Sequence, residues 1–283
     1  MLGLVLEGGA MRGMFTAGVT DVMLENDIAF DGAVGVSAGA VFGCNYKSRQ
    51  PGRVIRYNTA YCNDKRYCSL SSLIKTGDLY GEQFCYHDIP ERLDIFDVEA
   101  YRSNPMAFYA VCTDVESGEA VYKQLSDGSG EDLQWMRASA SMPLVSRIVE
   151  LEGKKLLDGG IADSIPLRFF EGIGYNRNVL ILTRPADYVK EKNIFLPMMK
   201  IAMRKYPKFM AAVADRHIRY NETLDYIRQR EQSGETFVIR PEAPLNIGST
   251  EHDPDELKRV YRLGRDVGEK CLPALKEFIK SKD

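Results

Sequence analysis

The first 50 residues alternate two short apolar runs with two helix-compatible segments, and this constrains the chain more than any other feature. Leu2–Leu6 is a short apolar run bounded by glycine, which predicts a buried strand. Residues from Gly13 to about Asn26 read as a helix, with Met14, Val19, Val22 and Met23 as core positions. Residues 30–36 form a second strand. The small residues Ala38, Gly39, Ala40 and Gly43 then permit a helix packed closely on a sheet. Strand, helix, strand and helix at this density predict a parallel α/β sheet.

Further along, the pattern is uneven. Residues 51–105 are rich in Tyr, Cys and Asp and show helices and loops with little periodicity. Residues 108–113 and 120–125 read as strands, 131–140 as a helix, and 179–183 as another buried strand. Residues 147–151 and 154–157 form a hairpin over Glu152-Gly153. Met210, Val213, His217, Tyr220, Leu224 and Ile227 recur at helical spacing, and Gly234 ends that helix. After a short strand at 237–239, Asp253-Pro254-Asp255-Glu256 opens the last helix with an N-cap, a proline at N1 and a capping-box acid. No repeat or linker interrupts the 283 residues, so one domain is expected.

Composition excludes several classes. A net charge of −3 and a pI near 5.8 disfavour a globally basic nucleic-acid binder. The N-terminus lacks the basic start and long apolar core of a signal peptide. No stretch approaches the roughly 18 apolar residues of a membrane-spanning helix. Six cysteines without a CxxC pair, and three histidines, make a zinc site unexpected. Free thiols in a cytoplasmic protein, with no metal and no cofactor, is the plain expectation.

Three motifs carry chemistry. Gly35-Val36-Ser37-Ala38-Gly39 is a G-x-S-x-G between a strand and a helix, the context of a nucleophile elbow. A glycine-lined turn with Ser37 as an ordinary N-cap is the bland alternative. Glu7-Gly8-Gly9-Ala10-Met11-Arg12-Gly13 puts a glycine-rich loop at a helix N-terminus, where unpaired N–H groups attract anions. It reads as an oxyanion hole or as a dinucleotide loop, but no acid ends the second strand as the latter needs. A cation in the first helical turn opposes the macrodipole, so Arg12 makes better sense holding an anion. Leu157-Asp158-Gly159-Gly160 supplies a carboxylate at a strand end.

Serine needs a proton acceptor to attack at neutral pH. The order Ser37, Asp158, His252 would suit an α/β-hydrolase triad, yet too little sheet precedes Ser37 for that fold. His217 sits in an apolar stripe, His252 precedes a capped helix and His87 lies in an ambiguous loop. The alternative is a dyad in which Asp158 takes the serine proton. A carboxylate at its reference pKa of about 4 is a weak base. Burial must therefore raise its pKa, or the glycine loop must stabilise the oxyanion strongly.

Taken together, these motifs resemble the patatin-like phospholipase family. The family pattern of G-G-G-x-R-G, G-x-S-x-G and D-G-G/A appears here as Gly8-Gly9-Ala10-Met11-Arg12-Gly13, Gly35 to Gly39, and Asp158-Gly159-Gly160. The segment Ala138-Ser139-Ala140-Ser141-Met142-Pro143 is similar to a fourth family segment. The four lie in family order within about residues 3–166, and residues 190–283 look like a helical C-terminal extension of bacterial members. The resemblance implies a three-layer α/β/α fold with a mostly parallel sheet. It also implies hydrolysis of lipid acyl esters through an acyl-serine intermediate. Ser37 would be the nucleophile and Asp158 the base. Gly8, Gly9, Ala10 and Arg12 would form the oxyanion loop. Two departures stand out. Ala10 replaces a glycine, costing on the order of 1 kcal/mol if its φ is positive. Asp163-Ser164-Ile165-Pro166 lacks the asparagine that family members often carry before the proline.

Residues 193–214 contain no acid but hold Lys200, Arg204, Lys205 and Lys208 among Phe195, Met198, Met199, Met203, Phe209 and Met210. That composition suits transient contact with an anionic membrane surface or a cap on an acyl channel. A helix with a buried Met face and a solvated basic face is the simpler expectation, because Pro197 and Pro207 divide the run. Two rivals to ester hydrolysis remain: acyl transfer by the same dyad, and a non-catalytic lipid- or nucleotide-binding protein.

Overall fold

The computed structural model describes residues 1–281. Strands β1 (Leu2–Leu6), β2 (Gly32–Val36), β3 (Ala107–Asp114), β4 (Ala120–Gln124), β5 (Val149–Leu151), β6 (Lys154–Asp158), β7 (Arg177–Ile181) and β8 (Thr236–Ile239) form one sheet. The helices are α1 (Gly13–Glu25), α2 (Ala38–Lys47), α3 (Arg53–Tyr61), α4 (Leu70–Thr76), α5 (Val98–Ser103), α6 (Glu131–Ser139), α7 (Leu167–Gly172), α8 (Leu196–Ala202), α9 (Pro207–Gln232) and α10 (Pro254–Lys280). A π-helical segment, Phe84–Leu93, occupies part of the stretch whose sequence shows no period.

The strand order is β5-β6-β3-β2-β1-β7-β8, with β4 also pairing with β3. β1 runs parallel to β2 and β7, β2 to β3, and β7 to β8. The β3–β4, β3–β6 and β5–β6 pairs are antiparallel, so an antiparallel wing extends the parallel centre. Side chains alternate across the sheet as period 2 requires. Leu4 and Leu6 of β1 enter one core with Met14, Phe15 and Val260. Val5 enters the other with Leu167, Phe170 and Leu224. Both faces are covered, which gives the expected three layers. Each fully buried Phe or Leu in them contributes about 1.5–3 kcal/mol.

The C-terminal helices are built into this body. Gly264 of α10 lies against α1 so closely that a Cβ there would stand 2.1 Å from the Phe15 carbonyl oxygen. β8 extends the sheet beyond β7.

Several local expectations shift. Phe30 is buried against Tyr46 but lies outside the ladder. β2 starts only after Asp31, whose carboxylate accepts the Leu2 N–H at 2.7 Å. β7 stops at Ile181, because Glu7 takes the Thr183 N–H at 2.6 Å. Asp253 caps α10 by accepting the Asp255 N–H at 2.9 Å. The capping box does not close, since Glu251 accepts the Asp253 N–H and Glu256 pairs with Arg259. Pro197 and Pro207 each sit at a helix start, and Pro207 begins a 26-residue helix rather than a short piece.

Candidate active site

Sheet register aligns the three motifs. Leu6 is paired with Gly35, Val36 with Val111, and Cys112 with Asp158. Counting on from those pairs, Gly8, Ser37, Cys112 and Asp158 stand in one row across β1, β2, β3 and β6. A Cβ on Gly8 would come within 3.1 Å of the Ser37 Cβ.

Ser37 sits between β2 and α2 with φ 55° and ψ −123°, a conformation costing on the order of 1–3 kcal/mol for a non-glycine residue. Its neighbours leave no room for side chains. A Cβ on Gly35 would lie 2.4 Å from the Gly39 carbonyl oxygen, and one on Gly39 would lie 2.4 Å from that of Leu6. The Ser37 N–H donates to Ser139 Oγ at 2.9 Å, and Ser139 donates onward to the Val111 carbonyl at 2.6 Å. Ser139 therefore braces the elbow from behind, which no local signal in the sequence announces.

Asp158 ends β6. Its N–H donates to the Ser141 carbonyl at 2.8 Å, and its Oδ1 accepts the Gly160 N–H at 2.8 Å. A Cβ on Gly159 would stand 2.1 Å from the Val111 carbonyl oxygen, so this glycine is needed for close approach. Burial pushes the Asp158 carboxyl above the usual carboxylate range. The Ser37 hydroxyl, the Arg216 charge and the Gly160 N–H each pull part of that shift back. A hypothetical Cβ on Gly160 would lie 3.0 Å from both Arg216 Nη2 and Asp158 Oδ1, which fixes Arg216 beside the carboxylate.

The glycine loop follows β1. Gly9 is extended, while Ala10 takes φ 48°, the positive value a glycine would adopt without strain. Among the described residues, the Gly8 and Gly9 N–H groups donate to no protein acceptor. Arg12 is half-buried and its Nε has no hydrogen-bond partner. Burial, then the nearby Arg184 charge, hold its pKa below the ordinary arginine value.

Two cavities meet at this row, sharing Ala10, Ser37 and Met142 in their walls. One is apolar, lined by Val41, Phe42, Tyr57, Ile89, Phe96 and Met136, and encloses about 110 Å³. The other is polar and roomier, about 270 Å³, with Asp158, Arg12, Arg184, Lys190 and Arg216 in its wall. None of the three histidines lines either cavity. His252 Nδ1 contacts the Cys62 carbonyl, His217 Nδ1 the Ala214 carbonyl, and His87 faces Glu91. The order Ser37, Asp158, His252 therefore assembles no triad here. Arg184, Lys190 and Arg216 escape sequence reasoning, because nothing local ties them to Ser37.

Fold and site together define a three-layer α/β protein with a serine elbow, a glycine loop and a buried carboxylate at one end of its sheet. The model of the patatin-like phospholipase family matches residues 4–170, and the chain belongs to that family. Residues 206–280 match a domain of unknown function (DUF6363). An uncharacterized protein of Escherichia coli K12, YjjU, is 25% identical over 99% of this chain and 80% of its own length. The lysophospholipase NTE1 of Candida glabrata is 24% identical over 98% of this chain, which spans only 16% of that much longer protein. Among solved structures, VipD from Legionella pneumophila aligns over 96% of this chain and 66% of its own, with 14% identity and a TM-score of 0.48.

Proposed function

We propose that the protein is a serine acyl-ester hydrolase acting on lipid esters through a Ser37–Asp158 dyad. The observation that carries this reading is the meeting of both residues in one sheet row, where an apolar cavity opens beside a polar one. The apolar cavity takes the acyl chain. Ser37 Oγ attacks the ester carbonyl carbon while its proton passes to Asp158. The carbonyl oxygen becomes an oxyanion facing the free Gly8 and Gly9 N–H groups, with the Ala10 N–H and Arg12 completing the hole. Collapse expels the alcohol, which takes the proton from Asp158, and leaves an acyl-serine. Water then attacks that ester, giving its proton to Asp158, and the acid leaves as Ser37 is reprotonated. No metal or cofactor enters these steps. The whole chain forms one catalytic domain in this reading, since α9 supplies part of the polar wall. A fluorophosphonate probe is expected to label the folded protein stoichiometrically, with the adduct mapping to the peptide carrying Ser37. Absence of labelling would favour a binding protein.

The surface around α8 supports a second element, peripheral contact with an anionic bilayer. Ile194, Phe195, Met198 and Ile201 are each more than half exposed. Lys200, Arg204 and Lys205 are exposed beside them. Met199 and Met203 face inward, so the segment around α8 has both a packed side and a greasy, basic outer side. Among the described residues no helix is long and apolar enough to cross a membrane. Ile194→Ser combined with Ile201→Ser, or Lys200→Glu combined with Lys205→Glu and Lys208→Glu, is expected to cut sedimentation with phosphatidylglycerol vesicles several-fold. Equal sedimentation of both variants and the parent would remove the membrane contact.

A further inference from the structure

The polar cavity holds four cations, Arg12, Arg184, Lys190 and Arg216, against two carboxylates, Glu7 and Asp158. Among the described residues, none of the four forms an ion pair. The Nε atoms of both Arg12 and Arg216 are buried without a partner.

Glu7 forms no ion pair with any of them, although its charge favours the cationic forms of Arg12 and Lys190. Its Oε2 accepts the Thr183 N–H at 2.6 Å and the Thr183 hydroxyl at 3.0 Å, while its Oε1 accepts the Tyr220 hydroxyl at 2.5 Å. Neutral donors occupy both oxygens. The cations are also held in position, unlike surface lysines. Asn221 of α9 grips the Lys190 backbone twice, accepting its N–H at 2.8 Å and donating to its carbonyl at 3.1 Å. The Lys190 ammonium lies 4.8 Å from the centre of the Tyr220 ring. The Arg184 guanidinium lies 4.4 Å from that of Tyr188. Burial, then the Arg216 charge, bring the Lys190 pKa down to about 8, with Arg12 and Arg184 adding to the repulsion among these cations. An anion in the cavity relieves that repulsion.

We propose that Arg184, Lys190 and Arg216 form a phosphate-binding subsite on the alcohol side of the scissile ester. The proposal rests on the reading of Ser37 as nucleophile, because that reading makes the polar cavity the exit side of the alcohol. The excess of two positive charges matches a terminal phosphomonoester dianion better than a singly charged phosphodiester. Guanidinium groups suit phosphate oxygens because they donate in pairs. Three of the four cations lie beyond residue 170, where the family match ends. The C-terminal part of the chain thus sets specificity for the alcohol, while the N-terminal part carries the chemistry.

The test compares 1-oleoylglycerol 3-phosphate with 1-oleoylglycerol, which share an acyl chain and differ in the phosphate. The parent enzyme is expected to prefer the phosphate ester at least tenfold in kcat/KM. Lys190→Gln and Arg184→Gln should each reduce that preference tenfold or more, mainly through KM, and Lys190→Arg should restore most of it. The same pair of lipids is titrated into Ser37→Ala protein, where binding is read without turnover. A tenfold binding preference that Lys190→Gln abolishes supports the subsite even if the parent hydrolyses neither lipid, in which case only the hydrolase reading fails. Inorganic phosphate is the third ligand. Binding it as tightly as the phospholipid would overturn the assignment to a lipid-borne phosphate. Equal binding of the two lipids, insensitive to Lys190→Gln, would overturn the subsite itself.

Discussion

Ser37→Ala is expected to lower kcat/KM for a p-nitrophenyl acyl ester by roughly 10⁴-fold or more, to near background. The size follows from the role: without Oγ no acyl-enzyme forms, and only the oxyanion loop and substrate binding remain to assist water. The fold should survive the change. The elbow is held by the Ser37 N–H to Ser139 and by the absence of Cβ atoms at Gly35 and Gly39, none of which the substitution touches. Alanine carries the same backbone strain as serine at this φ, so the thermal midpoint should move little. A variant within tenfold of the parent, by steady-state kinetics on equally folded protein, would refute Ser37 as the nucleophile.

Asp158→Asn is the companion prediction, with a loss of about 10³–10⁴-fold, because the amide preserves shape and removes the base. The pH profile tests the same group without mutation. In the proposed dyad the active form is the carboxylate, and burial raises its pKa. Activity should therefore rise with pH through a limb above the value of about 4 usual for aspartate, and fall as protonation proceeds below it. The Arg216 charge favours the carboxylate. Arg216→Gln should then move the limb to higher pH on a neutral ester. A limb at or below about 4 in the parent, or one unmoved in Arg216→Gln, would contradict Asp158 as the titrating base.

Much of the site was legible in local pattern. The glycines around Ser37 follow from a turn in which backbone passes within contact of backbone. The doubt attached to Ala10 was also legible, and its φ of 48° is the strain that a missing glycine predicts. The helices and strands flanking the motifs follow from apolar period. Less legible was the brace from Ser139. Its motif could be matched, but its hydrogen bond spans 102 positions. The π-helical segment Phe84–Leu93 has no simple period to read, yet Tyr86, Ile89 and Pro90 help line the apolar cavity. Glu251 took the N–H that a capping box assigns to Glu256, a competition between two nearby acids that composition cannot rank.

The sequence by itself determined the class of fold, the family and the chemical groups available at the site. These depend on side-chain size, period and backbone torsion, which act within a few residues. The tertiary structure decided which groups meet. Ser37 and Asp158 are 121 positions apart, and only the register through β3 sets them in one row. Arg12, Arg184, Lys190 and Arg216 come from a loop after β1, a loop after β7 and helix α9. Their shared field exists only once those elements pack, because Coulomb interaction depends on distance in space and on burial.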